Sequence, residues 1–220
     1  MKLCIISDIH SNIFFFEKCM EEIAKHDIDK IICLGDTIGY FDKPNEVIDI
    51  LVRERVKCIL GNHEAMMLGL IDYSPNIEPI YNLKNNHSVL REKYLNLIRS
   101  WVPFYELKIN SRKMLFVHGS PYDPLNGYLY ENTISAAYEN LQYDFIFTGH
   151  THRPYIRQNK NQTIVNVGSC GLPRDYGNMP SFVILNCGDF TCDLMRIKID
   201  INDFINNIDV HEDVLNCLGR

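Results

Sequence analysis

The chain contains six short runs of Ile, Val, Leu, Phe, Met and Cys, and each run ends in a segment of polar residues and glycine. Continuous apolar runs of this length are typical of β-strands that are covered on both faces. The runs lie at residues 3–6, 31–34, 58–60, 114–117, 145–147 and 164–165. They predict a sheet-based fold in which polar side chains collect at the strand ends.

Helical patterns separate the first three runs. The first pattern has apolar residues at the i, i+3, i+4 and i+7 positions of a helix. These residues are Phe16, Cys19, Met20 and Ile23. A second pattern covers residues 47–51 after Pro44, and proline is favoured in the first turn of a helix. The order strand, helix, strand, helix, strand predicts right-handed βαβ units with parallel strands.

The pattern changes after residue 63. Residues 64–101 contain no clear strand, and the apolar positions of residues 90–101 indicate a helix that is ended by Pro103. Two later pairs of strand-like segments, at residues 104–117 and 182–199, are predicted to be hairpins. The tail is predicted to be partly helical. We therefore expect an α/β fold with a helical insertion after the third strand and a mixed sheet or two packed sheets.

Length and composition indicate one globular domain. The chain has 220 residues, of which 46% are hydrophobic and 23% are charged, so residues 1–220 are expected to form a single domain. The eight cysteines lack CxxC spacing, and several lie inside apolar runs, which favours free thiols. No apolar stretch approaches a membrane span, and no leader precedes the first strand. We expect a cytoplasmic protein that does not associate with membranes.

The charge of the chain limits its partners. A formal net charge of -6 argues against binding to a nucleic acid polymer, because neutralising phosphates requires clustered Lys and Arg. A small phosphorylated substrate remains compatible with this charge if a metal ion supplies local positive charge. A homo-oligomer is also compatible with the sequence.

Candidate metal ligands lie where the apolar runs end. In α/β sheets the binding crevice lies at the carboxyl ends of the strands, so these side chains are expected to converge. Five of the eight histidines occur in these segments. Taken singly, each candidate also has a structural interpretation, such as a helix cap for Asp or a turn for Asn. Together they favour a metal site, and the seven predicted ligands are Asp8, His10, Asp36, Asn62, His118, His150 and His152.

The ligand types narrow the choice of metal. Carboxylate, imidazole and amide ligands without a thiolate suit Mn, Fe, Zn, Ni or Mg, and we favour Mn. Seven ligands are too many for one tetrahedral zinc ion, so we expect two divalent ions that share one carboxylate. Ions about 3.5–4 Å apart can hold a water between them. That water would act as a hydroxide nucleophile near neutral pH.

His150 and His152 are separated by one residue and follow Gly149. In a regular strand, side chains at this spacing point to opposite faces. We expect Gly149 to let the backbone turn beyond the strand, so that the two imidazoles lie on different sides of one site.

These segments resemble the motifs of the calcineurin-like metallophosphoesterase family. They occur in the family's order between residues 8 and 152, and no motif residue of the family is missing. As they stand in this chain, the motifs are Asp8-Ile9-His10, Gly35-Asp36, Gly61-Asn62-His63-Glu64, Val117-His118 and Gly149-His150-Thr151-His152.

The resemblance implies a four-layer α/β/β/α sandwich of two mixed β-sheets with a two-metal centre. It further implies that His63 binds no metal but stabilises or protonates the leaving group, while Glu64 orients the His63 ring. An imidazole next to the ligand Asn62 is also placed to act as a general acid. The implied metal ligands are Asp8, His10 and His152 for the first ion, Asn62, His118 and His150 for the second, and Asp36 for both.

Residues 166–175 resemble a segment of the small bacterial and archaeal phosphodiesterase-like members of the family. Within this segment, Arg174 either clamps a phosphate oxygen or forms a surface ion pair with Asp175. Asn12 either donates to a substrate phosphate or caps the helix that follows it. Tyr40 either lines the pocket or fills a turn. We treat Arg174 and Asn12 as candidate substrate-binding residues.

The resemblance implies a hydrolase that cleaves phosphate mono- or diesters, and we favour a phosphodiesterase. A phosphomonoesterase and a dinucleoside-polyphosphate hydrolase are alternatives with the same chemistry. A non-catalytic scaffold is an alternative from another class, since a retromer subunit related to the family has that role. That subunit departs from the family at the catalytic histidine, whereas this chain retains His63.

Overall fold

The computed structural model describes residues 1–139 and 141–220 and contains two five-stranded mixed β-sheets. The first sheet has the strand order β10-β9-β1-β2-β3, and the second has the order β4-β5-β6-β8-β7. The strands are β1 (Lys2–Ile6), β2 (Lys30–Cys33), β3 (Lys57–Cys58), β4 (Phe104–Ile109), β5 (Arg112–Val117), β6 (Phe145–Thr148), β7 (Tyr155–Gln158), β8 (Thr163–Asn166), β9 (Ser181–Asn186) and β10 (Thr191–Arg196).

The helices lie mainly between the early strands and at the C-terminal end. Two short 3₁₀ turns, Pro75–Ile77 and Glu131–Thr133, accompany them. The helices are α1 (Ile13–Ile23), α2 (Pro44–Arg53), α3 (Asn62–Met67), α4 (Glu78–Tyr81), α5 (Leu83–Val89), α6 (Glu92–Arg99), α7 (Ala136–Glu139), α8 (Asn202–Asn207) and α9 (Glu212–Leu218).

The strand pairings confirm the predicted topology. β1 pairs in parallel with β2, and β2 pairs in parallel with β3, with α1 and α2 as the crossovers. β4 and β5 form one antiparallel hairpin, and β9 and β10 form the other. The parallel pairs β5–β6 and β6–β8 align further strand ends along the second sheet. Both sheets therefore bring the carboxyl ends of parallel strands to one region.

Alternating side chains of each sheet build separate cores. In β1, Leu3 and Ile5 pack between the two sheets, against residues that include Phe116 and Phe147. The intervening Cys4 and Ile6 face the helices instead. Complete burial of an aliphatic or aromatic side chain contributes about 1.5–3 kcal/mol, so these layers fix how the sheets stack. The α/β/β/α architecture follows from this alternation.

The insertion after β3 is helical, as predicted, but it contains several short helices. The predicted helix over residues 90–101 is limited to α6, because Leu90 adopts an extended conformation at the end of α5. The sequence patterns also missed β7. This strand lies at the edge of its sheet, directly follows Pro154 and carries few apolar residues. With only four residues, it is too short for an alternating pattern to be recognised.

The C-terminal tail packs beside the start of α1. Phe204 of α8 stacks on Phe14 with ring centroids 4.6 Å apart, and it also contacts the rings of Phe15 and Phe41. Val214 and Leu218 of α9 are buried in the same cluster. The tail is thus partly helical, as predicted, and supports the loop that follows β2.

Among the described residues, the helices are all too short or too polar to cross a lipid bilayer.

Candidate active site

The seven predicted ligands converge at the ends of five strands. All are buried, and the most accessible of them, His150, has only 6% of its surface exposed. β1 leads to Asp8 and His10, β2 to Asp36, β3 to Asn62, β5 to His118, and β6 to His150 and His152. The parallel pairing of these strands explains why residues far apart in sequence meet here.

The backbone at the site is strained. Several of its residues have left-handed backbone angles, which cost roughly 1–3 kcal/mol for a residue other than glycine and often mark functional sites. The residues and their φ angles are Asp8 (55°), His10 (54°), Asp36 (51°), Tyr40 (57°), His150 (64°) and His152 (56°). The surrounding hydrogen bonds and packing therefore hold the loops in conformations that aim these side chains inward.

One group of potential ligands contains His10, His152 and Asp8. The Nε2 atoms of His10 and His152 are 3.0 Å apart. Asp8 Oδ1 lies 3.1 Å from Nε2 of His152 and 3.7 Å from Nε2 of His10. The other Asp8 oxygen accepts the backbone N–H of His150 at 3.0 Å, which fixes the carboxylate in this orientation.

A second group contains His118, Asn62 and His150. His118 Nε2 lies 2.9 Å from Asn62 Oδ1 and 3.1 Å from Nδ1 of His150. Asp36 Oδ2 lies 3.4 Å from His118 Nε2 and 3.8 Å from His10 Nε2. Asp36 thus reaches both groups, which is the position expected for a shared carboxylate.

Backbone carbonyl groups orient three of the imidazole rings. Nδ1 of His10 and Nδ1 of His118 each lie 3.1 Å from a carbonyl oxygen, and Nδ1 of His152 lies 2.5 Å from that of Leu172. Only a protonated nitrogen can donate to a carbonyl, so the neutral rings carry the lone pair on Nε2. This arrangement is common for histidines that bind metals, because the second nitrogen is then aimed at the ion.

The donor set fits divalent metal ions. The Nε2 lone pairs of His10 and His152 face each other and cannot form a hydrogen bond with one another. Asp8 Oδ1, which lies beside these two nitrogens, is buried and has no hydrogen-bond partner among the described residues. A buried polar atom without a partner is costly, and a cation among these three acceptors would satisfy it.

The electrostatics of the site also favour a cation. Burial opposes ionisation of Asp36, but the nearby His118 and His63 hold the pKa of its carboxyl well below the usual range. Burial also opposes the protonation of His118, yet Asp36 raises the pKa of this imidazole to about 9. Burial and His118 lower the pKa of His150 to about 3. Because Asp36 raises the pKa of His118, a metal ion at this site would compete with a proton for the imidazole.

His63 lies beside both groups. Its Nε2 is 3.9 Å from Asp36 Oδ2, and its ring packs on Tyr81 and Tyr40 with centroids 4.5 and 4.9 Å away. Its ligand atom is also within 4.8 Å of those of His10 and Asp36, so distance alone would admit it as a ligand. Burial and the neighbouring histidines hold the pKa of His63 well below its usual value. A bound phosphate would raise that pKa by bringing negative charge close to the ring.

The predicted role of Glu64 as an orienting group for His63 is wrong. The Glu64 carboxylate accepts hydrogen bonds from the backbone N–H groups of Asp36 at 2.9 Å, Thr37 at 2.6 Å and Gly61 at 3.0 Å. It also accepts the Thr37 hydroxyl at 2.8 Å. These partners lie in the loop that follows β2 and at the start of α3, so Glu64 joins that loop to Gly61, and Nδ1 of His63 has no hydrogen-bond partner within the described part of the chain. Glu64 therefore positions Asp36.

The prediction for Gly149 also needs correction. Its φ angle is not left-handed, and the left-handed residues are His150 and His152 themselves. Glycine is required at position 149 because a Cβ atom there would lie 2.2 Å from Ser7 Oγ and 2.5 Å from Asp8 Oδ2. The residue permits close approach of two strand ends and does not supply the turn.

Replacing Gly149 by alanine is expected to displace Asp8 and weaken metal binding. The overlap should also cost about 1–3 kcal/mol of stability, as overpacking commonly does. Metal titration by calorimetry and thermal denaturation would measure the two effects. Gly219→Ala is the matched control, since a Cβ atom there would have its nearest neighbour at 3.6 Å. Unchanged metal affinity and melting temperature in Gly149→Ala would contradict this explanation.

The two candidate substrate-binding residues differ in their surroundings. Asn12 is 1% exposed and caps α1, where its Oδ1 accepts the N–H of Phe15 and its Nδ2 donates to the carbonyl of Gly171 at 2.6 Å. These contacts confirm the capping interpretation, and contact of Asn12 with a substrate stays a prediction. Arg174 does not pair with Asp175, which binds Arg196. It donates instead to the hydroxyl of Tyr40 at 2.9 Å.

Two tyrosines that the sequence patterns did not select, Tyr81 and Tyr128, lie at the site together with Tyr40, which the sequence offered as a residue of the pocket. We call Tyr40, Tyr81, Tyr128 and Arg174 the rim. The Tyr128 ring lies 4.1 Å from that of His150, between centroids, and Tyr81 packs on His63. One signal was available in the sequence, because five of the twelve tyrosines fall between residues 122 and 143. Residues 122–133, which include Tyr128, have no helical or strand periodicity that would have drawn attention to them.

Fold and site together define a metallophosphoesterase. The model of the calcineurin-like phosphoesterase superfamily domain matches residues 1–189, and the chain belongs to this family. A protein of Methanocaldococcus jannaschii is 29% identical over 217 residues, with 90% of this chain and 88% of that protein covered.

Solved structures share the fold at lower identity. The metallophosphoesterase from Sphaerobacter thermophilus has a TM-score of 0.82 and 22% identity, and the match covers 100% of this chain and 98% of that one. An archaeal phosphodiesterase has a TM-score of 0.57 and 18% identity, and the match covers 90% of this chain and 100% of that one. At these identities the likeness demonstrates a common fold.

Proposed function

We propose that the chain is a divalent-metal-dependent phosphodiesterase that acts on small phosphorylated substrates. The observation that carries the proposal is the pair of acceptor groups that share Asp36, with His63 beside them. The family is one of phosphoesterases, and a solved archaeal phosphodiesterase has the same fold. The proposal includes a cytoplasmic location, because thiols buried in an apolar core, such as Cys33, suit a reducing compartment.

The donor groups would hold two ions, and Mn is the favoured metal. When bound, such ions supply positive charge that binds a phosphate and acidifies a water for attack. The first ion is assigned to Asp8, His10 and His152, the second to Asn62, His118 and His150, and Asp36 contributes to both.

The remaining site residues have separate tasks in this proposal. His63 would donate a proton to the leaving group, or stabilise it, from the side of the site where Tyr81 and Tyr40 hold its ring. Arg174 would bind a phosphate oxygen through its guanidinium, whose position is fixed by the Tyr40 hydroxyl. Glu64 would keep Asp36 in place without touching the substrate.

The composition of the rim supports a diester over a monoester. The rim carries one cation, Arg174, and the neutral phenols of Tyr40, Tyr81 and Tyr128. A phosphodiester has a single negative charge and a second organic group, which suits one guanidinium and aromatic surfaces. A phosphomonoester dianion would gain more from additional cations.

The scaffold alternative leaves one feature of the site without a task. The buried acceptor Asp8 Oδ1 would be satisfied by a structural ion as well as by a catalytic one. A scaffold has no need for the buried imidazole of His63 beside the acceptor groups, and this residue therefore favours catalysis.

Hydrolysis of a matched pair of esters would test the proposal. We expect the purified protein with added Mn or Mg to hydrolyse bis(p-nitrophenyl) phosphate faster than p-nitrophenyl phosphate, and a chelator to remove both activities. The release of nitrophenol gives both rates. A protein that binds no divalent metal and hydrolyses neither ester would refute the proposal, and faster turnover of the monoester would favour the phosphomonoesterase alternative.

A further inference from the structure

An aromatic surface extends from the candidate metal centre towards solvent. The Tyr128 ring contacts the ring of His150 at 4.1 Å between centroids, with the planes inclined by 37°. On its outer side, Tyr128 stacks with Tyr130 at 5.9 Å and 8°. Tyr128 is 52% exposed and Tyr130 is 37% exposed, although Tyr128 touches the buried His150. Two nearly parallel phenol rings are thus open to a ligand that reaches His150.

The segment that carries these tyrosines is held in place by its own hydrogen bonds. Ser120 and Asp123 form a bridge, and the Asn126 N–H donates to Asp123 Oδ1 at 3.0 Å. At the other end, the Tyr130 N–H donates to Thr133 Oγ1 at 3.0 Å. A surface that is ordered before a ligand arrives loses less conformational entropy on binding.

A neighbouring tyrosine of the same segment is used differently. Tyr122 is 59% exposed, but its hydroxyl donates to the carbonyl of Ala137 at 2.9 Å and its ring packs edge-on against Tyr138. Tyr122 therefore anchors the segment. Tyr128 and Tyr130 contribute ring faces next to the candidate metal centre.

The other tyrosines of the rim are not free to bind a ligand in this way. Tyr40 is 6% exposed, and Tyr81 packs against both Tyr40 and His63. These rings form the wall that holds His63 and Arg174. Tyr128 and Tyr130 are more exposed, and Tyr128 lies against His150.

We propose that Tyr128 and Tyr130 bind the nucleobase of a nucleotide whose phosphate lies at the candidate metal centre. Aromatic side chains stack on any nucleobase, because every base presents a flat π-face, and each such contact typically contributes about 1–3 kcal/mol, or roughly fivefold to a hundredfold in affinity. This inference rests on the proposed function, which places the phosphate at the candidate metal centre. What it adds is the class of substrate, namely nucleotide esters.

Calorimetric titration with adenosine 5′-monophosphate and ribose 5-phosphate would test this inference. The two ligands share the phosphate and the sugar, so a difference in affinity reports the base. In the full chain with added Mn, we expect the nucleotide to bind on the order of tenfold more tightly. Tyr128→Leu should remove most of this difference, whereas Tyr128→Phe should retain it because the ring face remains.

Tyr176→Leu is the matched control, since it removes a tyrosine that is 60% exposed and lies outside this segment, where its ring packs against the guanidinium of Arg196. It should leave the preference for the nucleotide intact. The inference would be overturned if the two ligands bound with equal affinity or if neither bound. It would also be overturned if Tyr128→Leu bound both ligands more tightly, since Tyr128 would then be an obstacle to entry. A protein that prefers the nucleotide but hydrolyses no phosphate ester would refute the proposed function and leave the inference standing.

Discussion

Replacing His63 by alanine is expected to lower kcat by about 10²- to 10⁴-fold while the metal content stays unchanged. His63 is buried beside Asp36, and its Nε2 is 3.9 Å from Asp36 Oδ2, which is longer than the contacts among the assigned ligands of each group. In the proposed mechanism His63 donates a proton to the leaving group and holds no ion. Steady-state kinetics with bis(p-nitrophenyl) phosphate and metal analysis of the same sample would measure both quantities.

Metal content is the decisive measurement for His63, because its nitrogen lies close enough to His10 and Asp36 to be a ligand. Loss of an ion in His63→Ala would show that the residue binds metal. Unchanged turnover with unchanged metal would remove it from the mechanism. His87→Ala is a suitable control, since His87 is an exposed histidine on α5, and it should alter neither quantity.

The sequence was sufficient to predict the main features of the fold. The apolar runs predicted the central strands, and helical spacing between them predicted α1 and α2, because both signals are local. The two-sheet sandwich was implied by the family resemblance and is confirmed by the strand pairings. β7 was missed because an edge strand of four residues after Pro154 has too little periodicity to recognise.

The candidate ligands were also predictable, because strand ends in parallel sheets meet in space. Roles that depend on contacts across the fold were not predictable. Glu64 follows His63 in sequence, yet α3 turns its carboxylate towards the loop at Thr37. The requirement for Gly149 arises from Ser7, which lies at the end of another strand. Tyr128 was overlooked because its contact with His150, 22 residues away in sequence, arises only in the folded chain.

Asp36 is held in the site by hydrogen bonds between its loop and Glu64. Asp36 is the shared carboxylate of both acceptor groups, and its backbone has a left-handed φ of 51°. The Glu64 carboxylate accepts the N–H groups at Asp36 and Thr37 and thereby stabilises this strained loop. The position of Asp36 is thus controlled by a buried charge that does not face the site. Disrupting that charge should affect stability before it affects chemistry.

Replacing Glu64 by alanine is expected to lower the free energy of unfolding by about 4 kcal/mol, within the range of about 3–5 kcal/mol typical when one partner of a buried charged pair is removed. The substitution leaves the buried donors of Thr37, Asp36 and Gly61 without this acceptor, while relief from burying a charge offsets part of the lost hydrogen bonding. For a chain of this length, the melting temperature should fall by roughly 8–16 °C. Chemical denaturation and calorimetry would measure these changes. Glu17→Ala, at an exposed position of α1, should stay within about 0.5 kcal/mol of the unmodified chain.

A double substitution distinguishes this role from the one that the sequence suggested. If Glu64 acted through His63, its replacement would cost less in a chain that already carries His63→Ala, because the group it orients would be gone. We expect instead the same loss of stability in both backgrounds, to within about 0.5 kcal/mol, since the partners of Glu64 are Thr37 and the backbone at Asp36 and Gly61. A clearly smaller loss in the His63→Ala background would restore the orienting role and contradict the assignment of Glu64 to the loop.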